Sequence, residues 1–276
     1  MRRAEPGVVQ DGPGLMIVRA DNAGPMTLDG TCSYLVGSSR LVLIDPGPND
    51  AEHLSRLVRA AADRPVVVIL LTHAHADHSG LASEAAREFG SQILASADTL
   101  ERTGLDGCAL VDGQHASPDA DAELVALCTP GHSADHVTYL LETERWLFTG
   151  DLVLGVGSSA ILHPDGDISA CMASLSRLHA LRPTRLFPGH GPPVDDAMDR
   201  LTEYRAHRLE REQQILRALE AGAWSVTDLR AAVYDPLPAG LEWAAEASIA
   251  AHLAALADNG HDVPAFGAYG ATTEQD

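Results

Sequence analysis

Apolar positions along the first two thirds of the chain follow two rhythms. Short unbroken runs, LMIV (Leu15–Val18), SYLV (Ser33–Val36) and LVLI (Leu41–Ile44), are bounded by Gly, Pro and Asn and predict strands. VVVILL (Val66–Leu71) follows Pro65 as a continuous β-branched run, which predicts a strand buried on both faces. Glu123–Cys128, Val137–Leu141, Trp146–Thr149 and the short Arg185–Phe187 read the same way. Between them the period lengthens. Ala51–Ala62 carries Leu54, Leu57, Val58 and Ala61 at helical spacing, with Asn49 or Asp50 as N-cap. Leu81–Phe89 predicts a helix ended by Gly90, and Ile168–Leu181 one stopped before Pro183.

Past Val194 the texture changes. Asp195–Ala221 predicts one long charged helix, followed by helices over Val226–Val233 and Leu241–Asp258 with the loop DPLPAG (Asp235–Gly240) between them. This places a boundary near Asp199, between a domain spanning 1–199 and a smaller one spanning 200–276. The final stretch, Gly260–Asp276, predicts a frayed end. Several strands before Val194 follow one another with no helix between. That predicts an α/β fold of two packed mixed sheets with helices outside, rather than one doubly wound sheet.

Composition narrows the function classes. Of 276 residues, 45% are hydrophobic and 21% charged, as in soluble globular proteins. No run approaches the roughly 18 apolar residues of a membrane span, and no apolar stretch follows Arg2 and Arg3 as a leader would need. A cytoplasmic protein with no membrane partner is expected. The net charge is −20, and all 19 basic residues are Arg, which excludes lysine Schiff-base chemistry and a Walker-type phosphate lysine. So acidic a chain is a poor partner for DNA or RNA. Cys32, Cys108, Cys128 and Cys171 lie far apart and read as ordinary thiols.

The chemistry sits in the histidines. LTHAHADHSG holds His73, His75, Asp77 and His78 directly after the Val66–Leu71 strand. A chance HxHxDH is expected only about 0.002 times in such a composition, so the motif carries weight. The same grammar recurs at three further strand ends: TPGH ends in His132, TGD in Asp151 and PGH in His190. Seven ligands exceed one tetrahedral ion with an open position but suit two ions sharing a carboxylate. His73, His75 and His132 are assigned to the first ion. Asp77, His78 and His190 go to the second, with Asp151 between the two. Imidazole and carboxylate donors without thiolate suit Zn²⁺, with Fe or Mn as alternatives. Such a pair activates water and polarises a carbonyl or phosphoryl oxygen, so hydrolysis follows. Single histidines, His53, His179, His207 and His252, read as surface or capping residues, and so do His115 and His261 in loops. Arg205, Arg208 and Arg211 read as a solvated face paired with Glu210, Glu212 and Asp199.

These residues resemble the metallo-β-lactamase superfamily, and more narrowly the β-lactamase-like protein 2 group. NAGPMTLDGTCSYLVG, IDPGP, CTPGHSADH, LFTGDLVLGVGSS and LFPGHGPPV carry the narrower likeness. EYRAHRLEREQQIL, VTDLRAAVY and AAEASIAAHLAALADNG extend it over the tail. The resemblance implies an αββα sandwich with a dinuclear site and an appended winged-helix-like domain. It implies that Asp45 orients the HxH loop, and it puts His136 near the site and Ser158 and Ser159 on the substrate side. Where the group commonly has Asn, this chain has Cys32, which removes a side-chain donor.

Four activities are open to such a site. The first is hydrolysis of a small acyl compound (thioester, ester, lactone or β-lactam), with Asp77 moving a proton. The others are cleavage of single-stranded RNA, iron-dependent persulfide oxygenation, and DNA binding through the tail. Charge favours the first. From Arg200 to Asp276 there are 6 Arg against 12 acidic residues, and Leu241–Asp258 has no Arg at all. The tail then lids the site or makes a homodimer contact.

Overall fold

The computed structural model describes residues 7–12, 14–117, 120–234, 236 and 240–267. Most of the DPLPAG loop and the end of the tail lie outside them. The chain divides into two units. The first comprises Met1–Thr129, Asp135–Gly157 and Leu181–Ala197 and carries both sheets.

One sheet has seven strands in chain order: β1 (Val8–Gln10), β2 (Leu15–Arg19), β3 (Cys32–Val36), β4 (Leu41–Ile44), β5 (Val66–Leu70), β6 (Gln92–Ser96) and β7 (Cys108–Leu110). β1 to β4 are antiparallel neighbours, whereas β4 to β7 run parallel. Parallel neighbours need crossovers, and helices supply them. α1 (Ala51–Ala61) links β4 to β5, α2 (Ala76–Ser79) and α3 (Ala82–Phe89) link β5 to β6, and α4 (Ala97–Thr103) links β6 to β7. The second sheet has four strands, ordered β11 (Arg185–Pro188), β10 (Trp146–Gly150), β9 (Val137–Leu141) and β8 (Leu124–Cys128).

Alternation along the strands builds two apolar layers. Tyr34, Val36, Val42 and Ile44 join Ala126, Tyr139, Phe148 and Phe187 in one core made by both sheets. The Tyr34 ring meets Phe148 edge-on at 5.2 Å, and Phe148 stacks on Phe187 at 5.2 Å. Leu35, Leu41, Leu43 and Ile69 turn the other way, onto Leu57 and Ala61 of α1 and Ala82 and Ala85 of α3. The expected mixed sheets with outer helices are present. Asp50 caps α1, its carboxylate accepting from Glu52 N at 2.9 Å, and Gly90 ends α3 in the left-handed conformation.

The pattern missed β1, β6, β7, α2 and α4. β6 has only three apolar residues between Gln92 and Ser96, and β7 is three residues long. α4 reads ADTLERT, without an apolar stripe.

The second unit comprises Pro130–Ala134, Ser158–Ala180 and Met198–Asp276. It holds α5 (Ile168–Ala180), α6 (Ala197–Glu220), α7 (Val226–Val233) and α8 (Glu242–Asp258). Ile215, Leu219, Leu229, Ile249, Leu253 and Leu256 form its apolar centre. α8 is mostly buried, which accounts for its run of alanines.

Four polar residues depart from the sequence reading. His53 and His252 are buried rather than at the surface. Arg208 is only 3% exposed and bonds to Ser159, so it does not belong to a solvated ion-paired face. Arg211 donates to Val233 O at 2.6 Å and lies over the Tyr234 ring.

Candidate metal centre

Strand ends deliver the candidate ligands. β5 ends at Leu70, and the chain runs through Thr72, His73 and His75 into α2, which carries Asp77 and His78. β10 and β11 are parallel, so Asp151 and His190, each just past its strand, leave the same edge of the sheet.

His73 Nε2 and His75 Nδ1 lie 2.9 Å apart. His73, His78 and Asp151 form one group whose donor atoms all lie within 4.8 Å of one another, and Asp77, His78 and His190 form a second. His78 Nε2 is 3.5 Å from Asp77 Oδ2 and 3.4 Å from Asp151 Oδ1. His190 Nε2 is 3.2 Å from Asp77 Oδ2 and 3.3 Å from Asp151 Oδ2.

The far side of each ring is fixed. His78 Nδ1 donates to Asp45 Oδ2 at 2.8 Å, and His190 Nδ1 faces Gly30 O at 3.5 Å. Thr72 Oγ1 donates to Asp45 Oδ2 at 2.7 Å and therefore accepts from His73 Nδ1 at 2.9 Å. In all three rings Nδ1 carries a proton and is engaged, which leaves Nε2, toward the cluster, as the atom a cation would meet. Asp45 also accepts from Thr72 N at 2.8 Å, so one buried carboxylate holds both the strand exit and His78.

Sequence reasoning missed two further holding groups. Asp135, 2% exposed, accepts from Ala74 N at 2.8 Å and from Thr99 Oγ1 at 2.7 Å through the same oxygen. Ala74 lies between His73 and His75, so this contact pins the ligand loop to α4. The acid in SADH, just before His136, was the available signal. Thr31 Oγ1 donates to Asp77 Oδ2 at 3.2 Å and accepts from Asn22 Nδ2 at 2.9 Å. His136 is buried, with Nδ1 3.0 Å from Thr129 Oγ1 and its ring 5.4 Å from that of His73. Cys32, in the position commonly Asn, is a buried free thiol whose Sγ lies 3.8 Å from Gly191 O.

Charge makes the cluster seek a cation. Burial opposes ionisation of Asp77, but His78 and His190 hold its pKa down to about 2. Asp151 is held well below the carboxylate range by the same two rings, against its burial. Burial also disfavours charge on His78, yet Asp77, Asp151 and Asp45 raise its pKa well above normal. His190 is raised to about 9, Asp151 outweighing burial. Among the described residues, His78 Nε2 is a buried atom that makes no hydrogen bond. Protons on the Nε2 atoms of His78 and His190 supply the positive charge that the two carboxylates call for, and a cation that displaces those protons would meet two Nε2 lone pairs and two carboxylates. A divalent cation with imidazole and carboxylate donors fits that need.

Glycine is required where the strands meet the cluster. A Cβ at Gly189 would press on Asp151 Oδ1 and lie 2.6 Å from His78 Cε1. Gly150 has φ +45°, and a Cβ there would lie 2.6 Å from His136 Nε2.

Three sequence candidates belong to the second unit. His132 lies in Pro130–Ala134, and its Nδ1 is 2.9 Å from Ala160 O. Ser159 is buried and bonded to α6 through Tyr204 and Arg208, whereas Ser158 is half-buried.

The family model described as Metallo-beta-lactamase superfamily matches residues 26–107 and 110–190. The beta-lactamase-like protein 2 homolog of Caenorhabditis elegans is 35% identical over 72% of this chain and 68% of its own. The atrochrysone carboxyl ACP thioesterase of Aspergillus chevalieri is 35% identical over 80% of this chain and 73% of its own. Among solved structures, a metallo-beta-lactamase family protein from Thermus thermophilus superposes with a TM-score of 0.75. It is 23% identical and covers 90% of this chain and 94% of its own. With fold, cluster and relatives in agreement, this chain is a hydrolase belonging to the metallo-beta-lactamase superfamily.

Proposed function

We propose that the protein is a dinuclear metal-dependent hydrolase of small acyl compounds, thioesters first. The observation that carries this reading is a pair of carboxylates, half-buried Asp77 and buried Asp151, facing the Nε2 atoms of His78 and His190 at 3.2–3.5 Å. His73 and His75 would hold the first ion, with His132 assigned as their third ligand on the TPGH motif. Asp77, His78 and His190 would hold the second, and Asp151 is the one carboxylate assigned to both. Zn²⁺ suits these donors, with Fe or Mn as alternatives. Bound there, the ions supply an acidified water and a Lewis acid for the carbonyl oxygen.

The protein's own groups do the rest. Asp77, whose Oδ2 accepts from Thr31 Oγ1, is the group assigned to move a proton. Asp45 keeps His78 and Thr72 in place, so the ligand geometry survives the reaction. Ser158 is the half-buried member of the serine pair assigned to the substrate side.

Two features favour acyl compounds over RNA. A relative 35% identical is named a thioesterase, and a polyanion must approach a chain of net charge −20. Nor is α8, mostly buried, suited to read DNA in an appended winged-helix-like domain spanning 200–276. Elemental analysis of chelator-free protein is expected to give about two ions per chain. Rates on an acyl thioester and on single-stranded RNA, each at low and moderate salt, decide the substrate class. Salt-sensitive RNA binding without acyl hydrolysis overturns this reading in favour of a ribonuclease. One iron per chain with oxygen uptake on persulfide overturns it in favour of an oxygenase.

A further inference from the structure

Within the second unit, the stretch from Ser158 to Leu162 has no regular secondary structure, so its backbone groups must find partners elsewhere. Those of Ser159 find them on one face of α6. Ser159 N donates to Tyr204 Oη at 3.2 Å. Arg208 Nη2 donates to Ser159 O and, at 3.3 Å, to Ser159 Oγ. Tyr204 and Arg208 are four residues apart, which stacks them on the same helix face, and both are buried. Burying a guanidinium is costly unless its donors are used. Here a charged donor is committed to a neutral carbonyl, the backbone oxygen of Ser159.

The next carbonyl is the one that matters. Ala160 O lies 2.9 Å from His132 Nδ1. A carbonyl only accepts, so His132 carries its proton on Nδ1 and its lone pair on Nε2. The Nδ1 atoms of His78 and His190 are engaged the same way by Asp45 and Gly30 O, groups of the first unit. For His132 the orienting carbonyl stands in an irregular segment, and that segment is held by α6.

We propose that Arg208 and Tyr204 are positioning residues for the metal site. By clamping Ser159 they fix Ala160 O, and Ala160 O fixes the tautomer and ring angle of His132. The C-terminal helical segment thereby takes part in metal binding without supplying a ligand. The proposal rests on reading His132 as a metal ligand.

Two measurements on the full chain test it. The first is the long-range ¹H–¹⁵N spectrum of the histidines in metal-free protein, which reports the tautomer of each ring. His132 is expected to be Nδ1-protonated in the parent and a mixture of tautomers in Arg208→Met. The second is competition between a chelator and the protein for Zn²⁺. One of the two equivalents is expected to weaken about 10- to 100-fold in Arg208→Met, and the other to hold. Tyr204→Phe, which removes only one hydroxyl, shifts both readouts in the same direction by a smaller factor. It serves if Arg208→Met does not fold. Arg217→Met takes an exposed guanidinium from the same helix and leaves both readouts unchanged. Folded Arg208→Met or Tyr204→Phe protein with the parent's His132 tautomer and both Zn²⁺ affinities overturns the proposal. A parent protein that binds no Zn²⁺ overturns the metal reading instead, and the histidine spectrum still decides the clamp.

Discussion

Asp45 and His78 are joined by a 2.8 Å hydrogen bond inside the protein, Nδ1–H donating to Oδ2. The same carboxylate takes Thr72 N and Thr72 Oγ1, so all three of its partners are donors. Asp45 has φ +49°, a conformation that Asn tolerates nearly as well. Asp45→Asn therefore keeps the backbone but turns an NH₂ toward one of three donors. Metal affinity is expected to fall about 10- to 100-fold, as for other groups that orient a metal-bound His. Competition with a chelator checks it, and an unchanged affinity would show that His78 is held by other means.

Gly189 sits where β11 meets the cluster, and the added Cβ of Gly189→Ala would collide with Asp151 and His78. Both are rigidly placed, so the ligands must move. The variant is expected to fold, with a circular dichroism spectrum like the parent's, and to lose at least half of its metal. Full occupancy at the parent's affinity would mean that Asp151 has room to retreat and is not held by two ions.

The candidate ligands stand out in the sequence because each is local: a His or Asp at or near a strand end, in a short motif. What holds them does not. Asp135 meets Ala74 across 61 positions, and Thr31 meets Asp77 across 46. No periodicity links such pairs. Arg208 misled for the same reason. Acids stand near it on the helix, so it reads as solvated, but its partner is Ser159, 49 residues earlier. β6, β7 and α4 went unseen because their apolar content is too short to show a period.

Asp135 offers a separate test of how the ligand loop is held. Its Oδ2 accepts from both Ala74 N and Thr99 Oγ1, so Asp135→Ala leaves two donors short of a partner. A loss of about 1–3 kcal/mol in stability is expected. Metal affinity should fall as well, because Ala74 separates two ligands. Asp135→Asn retains an acceptor oxygen and should recover most of both. Denaturant unfolding and metal titration of the two variants check this. If Asn behaves like Ala, the charge rather than the acceptor matters, through Arg102 Nη1, 3.7 Å from Asp135 Oδ1.

His252 lies buried in α8, and neither ring nitrogen has a hydrogen-bond partner among the described residues. Burial lowers its pKa to about 3, helped by Arg208, Arg211 and His207. In the unfolded chain the same ring titrates near its ordinary value of about 6.5. Below that pH the unfolded state binds a proton that the folded state refuses. The stability this ring leaves intact above about pH 6.5 is therefore lost progressively as the pH falls toward about 3. His252→Leu removes the titratable ring and puts an apolar side chain at this buried position of α8. At neutral pH the variant should be as stable as the parent or more so, since two unpaired polar atoms are gone. On acidification its advantage should grow, by up to about 1.4 kcal/mol for each pH unit below the unfolded pKa. His53, lowered to about 4 by burial and Arg56, adds a similar acid loss to both proteins and cancels in the comparison. Urea unfolding of parent and variant at several pH values reads the difference directly. Parallel curves across that range would mean that His252 accepts its proton in the folded protein as readily as in the unfolded chain.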